Sequence, residues 1–163
     1  MLGTVKPFDK VDHAIYDLKG KDAFIKYLNN RLPEGYKAIE NSNQYGIDIL
    51  VLSPSNIVIT ACDVEVRYGN WKGNSSFPFD KINCIERKDH LWKKSSSFLD
   101  KIPYQVSSNC QVYYVQLNDE CTKAVIIDGK TILAQEQIQW DNRKMSGEFV
   151  RQVPIGLTKQ VDL

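Results

Sequence analysis

No stretch of this chain approaches the roughly 20 consecutive apolar residues that cross a bilayer as a helix, so a membrane-spanning helix is not expected. The opening MLGTVKPFDKVDH carries charges and no apolar run, which is not the make-up of a secretory signal. Imidazole is scarce, with only His13 and His90, and Cys62, Cys84, Cys110 and Cys121 show no C-x-x-C spacing. A zinc site is therefore not expected, and four scattered thiols suit a reducing, cytoplasmic setting. A Ser-His-Asp set, a phosphate-cradling Gly-rich loop and an internal repeat are all missing. So is an excess of charge: 21 Lys and Arg stand against 20 Asp and Glu, a net +1. That balance argues against a protein that coats nucleic acid electrostatically, while leaving room for a local basic groove.

What is there suits a folded domain. The 163 residues are 42% hydrophobic and 25% charged, long enough for one domain with a proper core. The most informative stretch is Tyr45 to Arg67, YGIDILVLSPSNIVITACDVEVR. It reads as a strand from Ile47 to Leu52, turn chemistry at Ser53-Pro54-Ser55-Asn56, and a second strand from Ile57 to Arg67. Strict alternation sends Val58, Thr60, Cys62, Val64 and Val66 to one face. Ile57, Ile59 and Ala61, then Asp63, Glu65 and Arg67, take the other, which turns from apolar to ionic along its length.

Folding this hairpin about Ser55-Asn56 brings Asp48 opposite Asp63 and one diagonal step from Glu65, within about 5 to 8 Å. Carboxylates that close repel unless something cationic sits between them. A hard divalent cation such as Mg²⁺ is one solution, and Arg67 as an internal counter-ion is another. The hairpin alone does not choose between them.

The pattern of Asp48, strand-turn-strand and Glu65-Val66-Arg67 resembles the PD-(D/E)XK nuclease superfamily, with its restriction-endonuclease-like fold, over roughly residues 20 to 95. The resemblance implies that Asp48 and Glu65 hold one or two Mg²⁺ ions (Mn²⁺ as substitute) and that the Val66 carbonyl completes the coordination. Ile47 stands where the family has Pro, and Arg67 where it has the Lys that orients the attacking water. The second departure matters more, because Arg is always charged and cannot act as a proton-transfer base. It is suited instead to stabilising charge that builds on the phosphorus.

Elsewhere, Phe24, Tyr27, Leu28 and Leu32 fall on one helical face, predicting a helix over Lys21 to Leu32 that is stopped by Pro33 and Gly35. Residues 1 to 19, including Asp12, His13 and Asp17, read as a solvated lead-in, with the helix starting near Asp17 or Gly20. Asp22 then lies in the first turn, where it suits the helix dipole. The segment Tyr68 to Ser76 reads as a Gly/Asn/Ser loop, anchored by a buried Trp71 or free to stack on bases. A strand is expected over Ile82 to Ile85, leading into the most basic window of the chain. Arg87 and Lys88, with Lys93 and Lys94, are candidates for phosphate contacts. Small phage-type members of the resembled family place an Arg-Lys pair after the corresponding strand. Further strands are expected at Gln111–Leu117, Lys123–Ile127, Thr131–Leu133 after an Asp128-Gly129 turn, and Glu148–Val153.

The expectation is one α/β (α+β) domain with a restriction-endonuclease-like core at about 20–95 and a β-rich extension at 104–157. Its sheet would be mixed and mostly antiparallel, with a flanking helix. The resemblance implies a Mg²⁺-dependent endodeoxyribonuclease that acts on DNA, needs no small-molecule cofactor and is encoded by a phage. Two alternatives accompany it. One is a Holliday junction resolvase of the same fold, which would need a homodimer. The other is a catalytically inactive domain, either a DNA-binding module that keeps the fold or a structural protein in which Asp48, Glu65 and Arg67 form only an ion-pair cluster.

Overall fold

The Tyr45–Arg67 hairpin lies inside a six-stranded sheet. The computed structural model describes residues 10–140 and 148–163, and side chains from 15 to 139 and from 148 onward. The strands are β1 (Lys37–Glu40), β2 (Ile49–Leu52), β3 (Val58–Val66), β4 (Lys81–Ile85), β5 (Val106–Leu117), β6 (Lys123–Asp128), β7 (Gln137–Trp140), β8 (Glu148–Pro154) and β9 (Lys159–Asp162). The larger sheet runs β1-β2-β3-β5-β6-β9, and β4-β8-β7 form a second sheet. The β3–β5 pair is parallel and the others are antiparallel, so the larger sheet is mixed and mostly antiparallel, as expected. A parallel pair needs a long crossover. Here it carries β4, a 3₁₀ turn at Glu86–Lys88, and the short helices α2 (Asp89–Trp92) and α3 (Ser96–Leu99), numbered after α1 (Lys10–Asn29).

Turn chemistry closes the hairpin as anticipated. Ser53 N–H donates to the Ile57 carbonyl at 2.9 Å, and Asn56 takes a left-handed φ of 61°, which Asn tolerates better than most residues. The register Ile49↔Cys62, Leu50↔Ala61 and Val51↔Thr60 then slips, so that Leu52 faces Val58. That bulge corrects the expected alternation. Val58 joins Leu50, Leu52 and Ala61 in one core, while Ile59 packs with Cys62, Val64 and α1 on the opposite face. An extra residue in one strand flips every side chain before it.

Each face of the large sheet is covered. Phe24 of α1 packs with Ile49, Val51, Cys62, Val64, Val115 and Leu117. On the other face, Leu50, Ala61, Val112, Tyr114 and Ile127 meet Ile82 and Cys84 of β4, Val153 of β8, and Trp92, Phe98 and Ile132 from the short helices. Burial of each such large side chain contributes about 1.5–3 kcal/mol. β5 sits between β3 and β6, so residues 104–157 supply a central strand as well as flanking structure.

Three other expectations change. α1 begins at Lys10, not near Asp17 or Gly20, and Asp22 is an exposed mid-helix residue rather than a first-turn acid. The lead-in residues 1–9, and the side chains of Asp12 and His13, lie outside the described residues. Gly20 permits a close approach of helix to sheet: a Cβ there would stand 2.6 Å from Val66 Cγ2. Asp128 caps a helix, α4 (Gly129–Leu133), through its Oδ1 and the Lys130 N–H at 2.9 Å, so Thr131–Leu133 is helical rather than a strand. The short strands β7 and β9 were not anticipated. Among the described residues no helix is long and apolar enough to cross a membrane.

Candidate functional site

The site gathers at the open end of the β2–β3 hairpin. Asp48 directly precedes β2, and its Oδ2 accepts a hydrogen bond from Val64 N–H of β3 at 2.8 Å. Its Oδ1 lies 3.4 Å from Lys21 Nζ, a lysine of α1 that also reaches Asp17 at 3.2 Å and Glu40 at 3.6 Å. Burial, followed by the neighbouring Asp63 carboxylate, pushes the Asp48 carboxyl up to about 7, against the Val64 N–H bond and the Lys21 charge. The Lys21 ammonium is lowered by burial, but Asp48 and Asp17 more than offset that and raise it overall.

Asp63 and Glu65 share a face of β3, two residues apart. Between them stands the Lys88 ammonium, 2.6 Å from Asp63 Oδ2 and 2.8 Å from Glu65 Oε1. Burial works against this charge, yet the two carboxylates and their hydrogen bonds hold its pKa well above the ordinary lysine value. Glu65 also accepts from the Tyr114 hydroxyl, to which Gln116 Nε2 donates at 2.9 Å. The Tyr114 phenol is raised far above its usual value by burial and then by Glu65.

Arg67 faces the same cleft but is held in place. Its Nε donates to Asn70 Oδ1 at 2.9 Å and one Nη to Gln116 Oε1 at 3.3 Å, while the guanidinium lies 4.6 Å from the Phe79 ring centroid. Burial lowers its pKa, opposed by Tyr114 and Glu65. The loop that supplies Asn70 is anchored by buried Trp71, whose Nε1–H donates to the Ser75 carbonyl at 3.0 Å.

Glu65, Arg67, Lys88, Trp92, Tyr114 and Gln116 line a cleft of about 220 Å³. That is smaller than the roughly 300–1,000 Å³ of pockets that swallow a whole small molecule. The Trp92 indole N–H at this cleft is buried without a hydrogen-bond partner.

Of the residues singled out from sequence, Glu65, Arg67 and Lys88 meet at this cleft. Asp48 connects to them through Asp63, whose charge it feels and which shares Lys88 with Glu65. The Val66 side chain packs towards α1. Arg67 N–H points to Leu117 of β5, so the alternating backbone turns the Val66 carbonyl the other way, towards the Asp48 side. The basic window disperses. Arg87 is exposed, with one Nη 3.5 Å from Glu148, Lys93 is exposed, and Lys94 Nζ donates to the Cys110 carbonyl at 2.9 Å. Lys21, Tyr114 and Gln116 were missed as site residues. Tyr114 and Gln116 alternate on β5, but nothing local in the sequence places that strand beside β3.

The donor set of carboxylates and a strand carbonyl fits a hard cation such as Mg²⁺. An ammonium already stands between two of the carboxylates as a cation of lower charge. As the side chains are placed, no group of three or more His, Cys, Asp or Glu among the described residues converges tightly enough to hold a metal. The four thiols are buried and unpaired, and burial raises each of them, which keeps them protonated and unreactive. Compared with protein-family models, curated proteins and solved structures, the chain matches none of them.

Proposed function

We propose that this protein is a Mg²⁺-dependent DNA endonuclease of the PD-(D/E)XK type, working at the Asp48–Asp63–Glu65 end of the hairpin. The observation that carries this reading is the pair of β3 carboxylates drawn around a single cation position beside a cleft of about 220 Å³. The helix preceding the hairpin is in the order expected of that family. Asp48, Asp63 and Glu65, with the Val66 carbonyl, would hold the metal. When bound, Mg²⁺ lowers the pKa of a water and polarises the scissile phosphate.

The protein's own part is positioning. Val64 N–H fixes the Asp48 carboxylate, and Tyr114 fixes Glu65. Arg67, restrained by Asn70, Gln116 and Phe79, presents its charge to the cleft, where it stabilises negative charge on the phosphorus without taking a proton. Arg is the base-free replacement at this position, so proton removal falls to solvent.

The test is incubation with supercoiled, linear, single-stranded and four-way-junction DNA in Mg²⁺, Mn²⁺ or EDTA, alongside Glu65→Ala and Asp48→Ala. Metal-dependent cutting that is lost in folded variants supports the nuclease, and preference for the junction would identify a resolvase. A second reading, a DNA-binding domain without catalysis, draws on Lys88 already standing between the two carboxylates. It expects DNA binding with no cutting in either metal.

A further inference from the structure

The Lys88 ammonium occupies the position that a metal bound to Asp63 and Glu65 would need. Its distances of 2.6 and 2.8 Å are those of strong charge-assisted hydrogen bonds. Mg²⁺ binds carboxylate oxygen at about 2.0–2.1 Å and would compete with the ammonium for the same two side chains. Two cations only a few ångströms apart in a half-buried site also repel strongly. Both therefore cannot hold this pair together.

We propose that Lys88 is a tethered counter-ion that holds the Asp63–Glu65 pair in the metal-free protein and is displaced into the cleft when a divalent cation binds; this rests on the metal-dependent reading above. Three features of the structure carry it. Lys88 comes from a 3₁₀ turn rather than a sheet strand, and its four-carbon stem can swing while the backbone stays put. The backbone is held at the next residue, where buried Asp89 pairs with Arg151 at 3.0 Å. A place to go exists, because Lys88 already lines the cleft and its Nζ stands 5.3 Å from the centroid of the Tyr114 ring.

Charge is consistent with the exchange. Asp63, Glu65 and Lys88 sum to −1, and a dication in place of the ammonium brings the pair to neutrality. The released ammonium then faces whatever phosphate occupies the cleft. Arg67 cannot play this part, since Asn70, Gln116 and Phe79 restrain it. One lysine thus keeps the empty site folded and adds a positive charge to the cleft once the site is filled.

The test follows the Lys88 ammonium directly in full-length ¹⁵N-labelled protein by NMR, during titration with MgCl₂ and without DNA. A slowly exchanging lysine ammonium signal, absent in Lys88→Met, should shift or vanish with the same midpoint as the Mg²⁺-dependent rise in melting temperature. In Lys88→Met that midpoint should fall about tenfold or more, because the site no longer spends its time filled by the ammonium. If Lys88→Met does not fold, Lys88→Gln, which keeps a neutral donor, replaces it, and the wild-type signal decides the matter alone. Mg²⁺ that stabilises the wild type while leaving the ammonium signal unmoved, with equal midpoints in the variant, would overturn the displacement and leave the metal site standing. Mg²⁺ without effect on melting or on the signal would overturn both.

Discussion

The Tyr114 hydroxyl donates to Glu65 across the parallel β3–β5 pair, although Tyr114 is in register with Asp63. The reach is diagonal, and Gln116 holds the hydroxyl from the far side. Tyr114→Phe removes only that oxygen, so Glu65 loses one donor while keeping Lys88, and the Gln116 amide loses its acceptor. A hydrogen bond to a charged group contributes about 1.5–3 kcal/mol. A lower melting temperature is expected, with metal-dependent cleavage reduced about tenfold or more. Unchanged melting and cleavage would show that the hydroxyl does not position Glu65.

Asp48 gives the metal-free protein a pH dependence of known sign. Its carboxyl keeps its proton up to about 7 in the fold and releases it near 3.8 when unfolded. The native state therefore binds more protons between those values, and this contribution to stability is lost as pH rises from about 4 to 7. Asp48→Asn should flatten the melting temperature across pH 5–8 relative to wild type, and equal or exceed it at pH 8. A variant that declines in parallel with wild type would place the titration elsewhere.

Gly20 is a packing requirement. A methyl there would meet Val66 Cγ2 at 2.6 Å and Leu117 Cδ1 at 3.1 Å. Overpacking of this kind costs about 1–3 kcal/mol, more than the roughly 1 kcal/mol that Ala gains over Gly in a helix. Gly20→Ala should be less stable to urea despite its better helix propensity. A more stable variant would mean that α1 can lift off the sheet freely.

Asp89 and Arg151 pair at 3.0 Å, and Arg151 also donates to the Leu133 carbonyl at 3.2 Å, tying α2, α4 and β8 together. Removing one partner of a buried pair costs about 3–5 kcal/mol. Arg151→Met should approach that loss in chemical denaturation, whereas Lys93→Ala, at an exposed position, should stay within about 0.5 kcal/mol of wild type.

Arg87 and Lys93 remain exposed beside the cleft-lining turn. If DNA crosses there, Arg87→Ala with Lys93→Ala should weaken binding evenly across sequences and lower the salt-dependence slope by about 2. An unchanged slope in a filter or anisotropy titration would move the DNA track to another face.

Much of the local structure could be read from the chain because its signals are local. Ser53-Pro54-Ser55-Asn56 closes the hairpin, and Asp48 comes to the carboxylates of β3, because turn chemistry and a period of two act over a few residues. Thr131–Leu133 was misread because an apolar triplet after Asp-Gly fits a strand or a capped helix, and only the Asp128–Lys130 bond tells them apart. The start of α1 lies earlier than expected: Val11, Ala14, Ile15 and Leu18 recur at helical spacing, although Ile15 and Leu18 stay exposed.

The sequence by itself determined that acidic residues would meet at one end of a hairpin, since register and alternation leave them nowhere else to go. Only the tertiary structure decided which cation answers them. The crossover between two parallel strands brings Lys88 from 23 residues beyond Glu65 into hydrogen-bonding reach, and sets Tyr114 from the adjoining strand behind it. Arg67, the nearer cation in sequence, is drawn instead to Asn70, Gln116 and Phe79. Proximity along the chain counts for little once a long loop closes, because each doubling of loop length adds only about 0.6 kcal/mol to closure, less than one well-made charge-assisted hydrogen bond contributes.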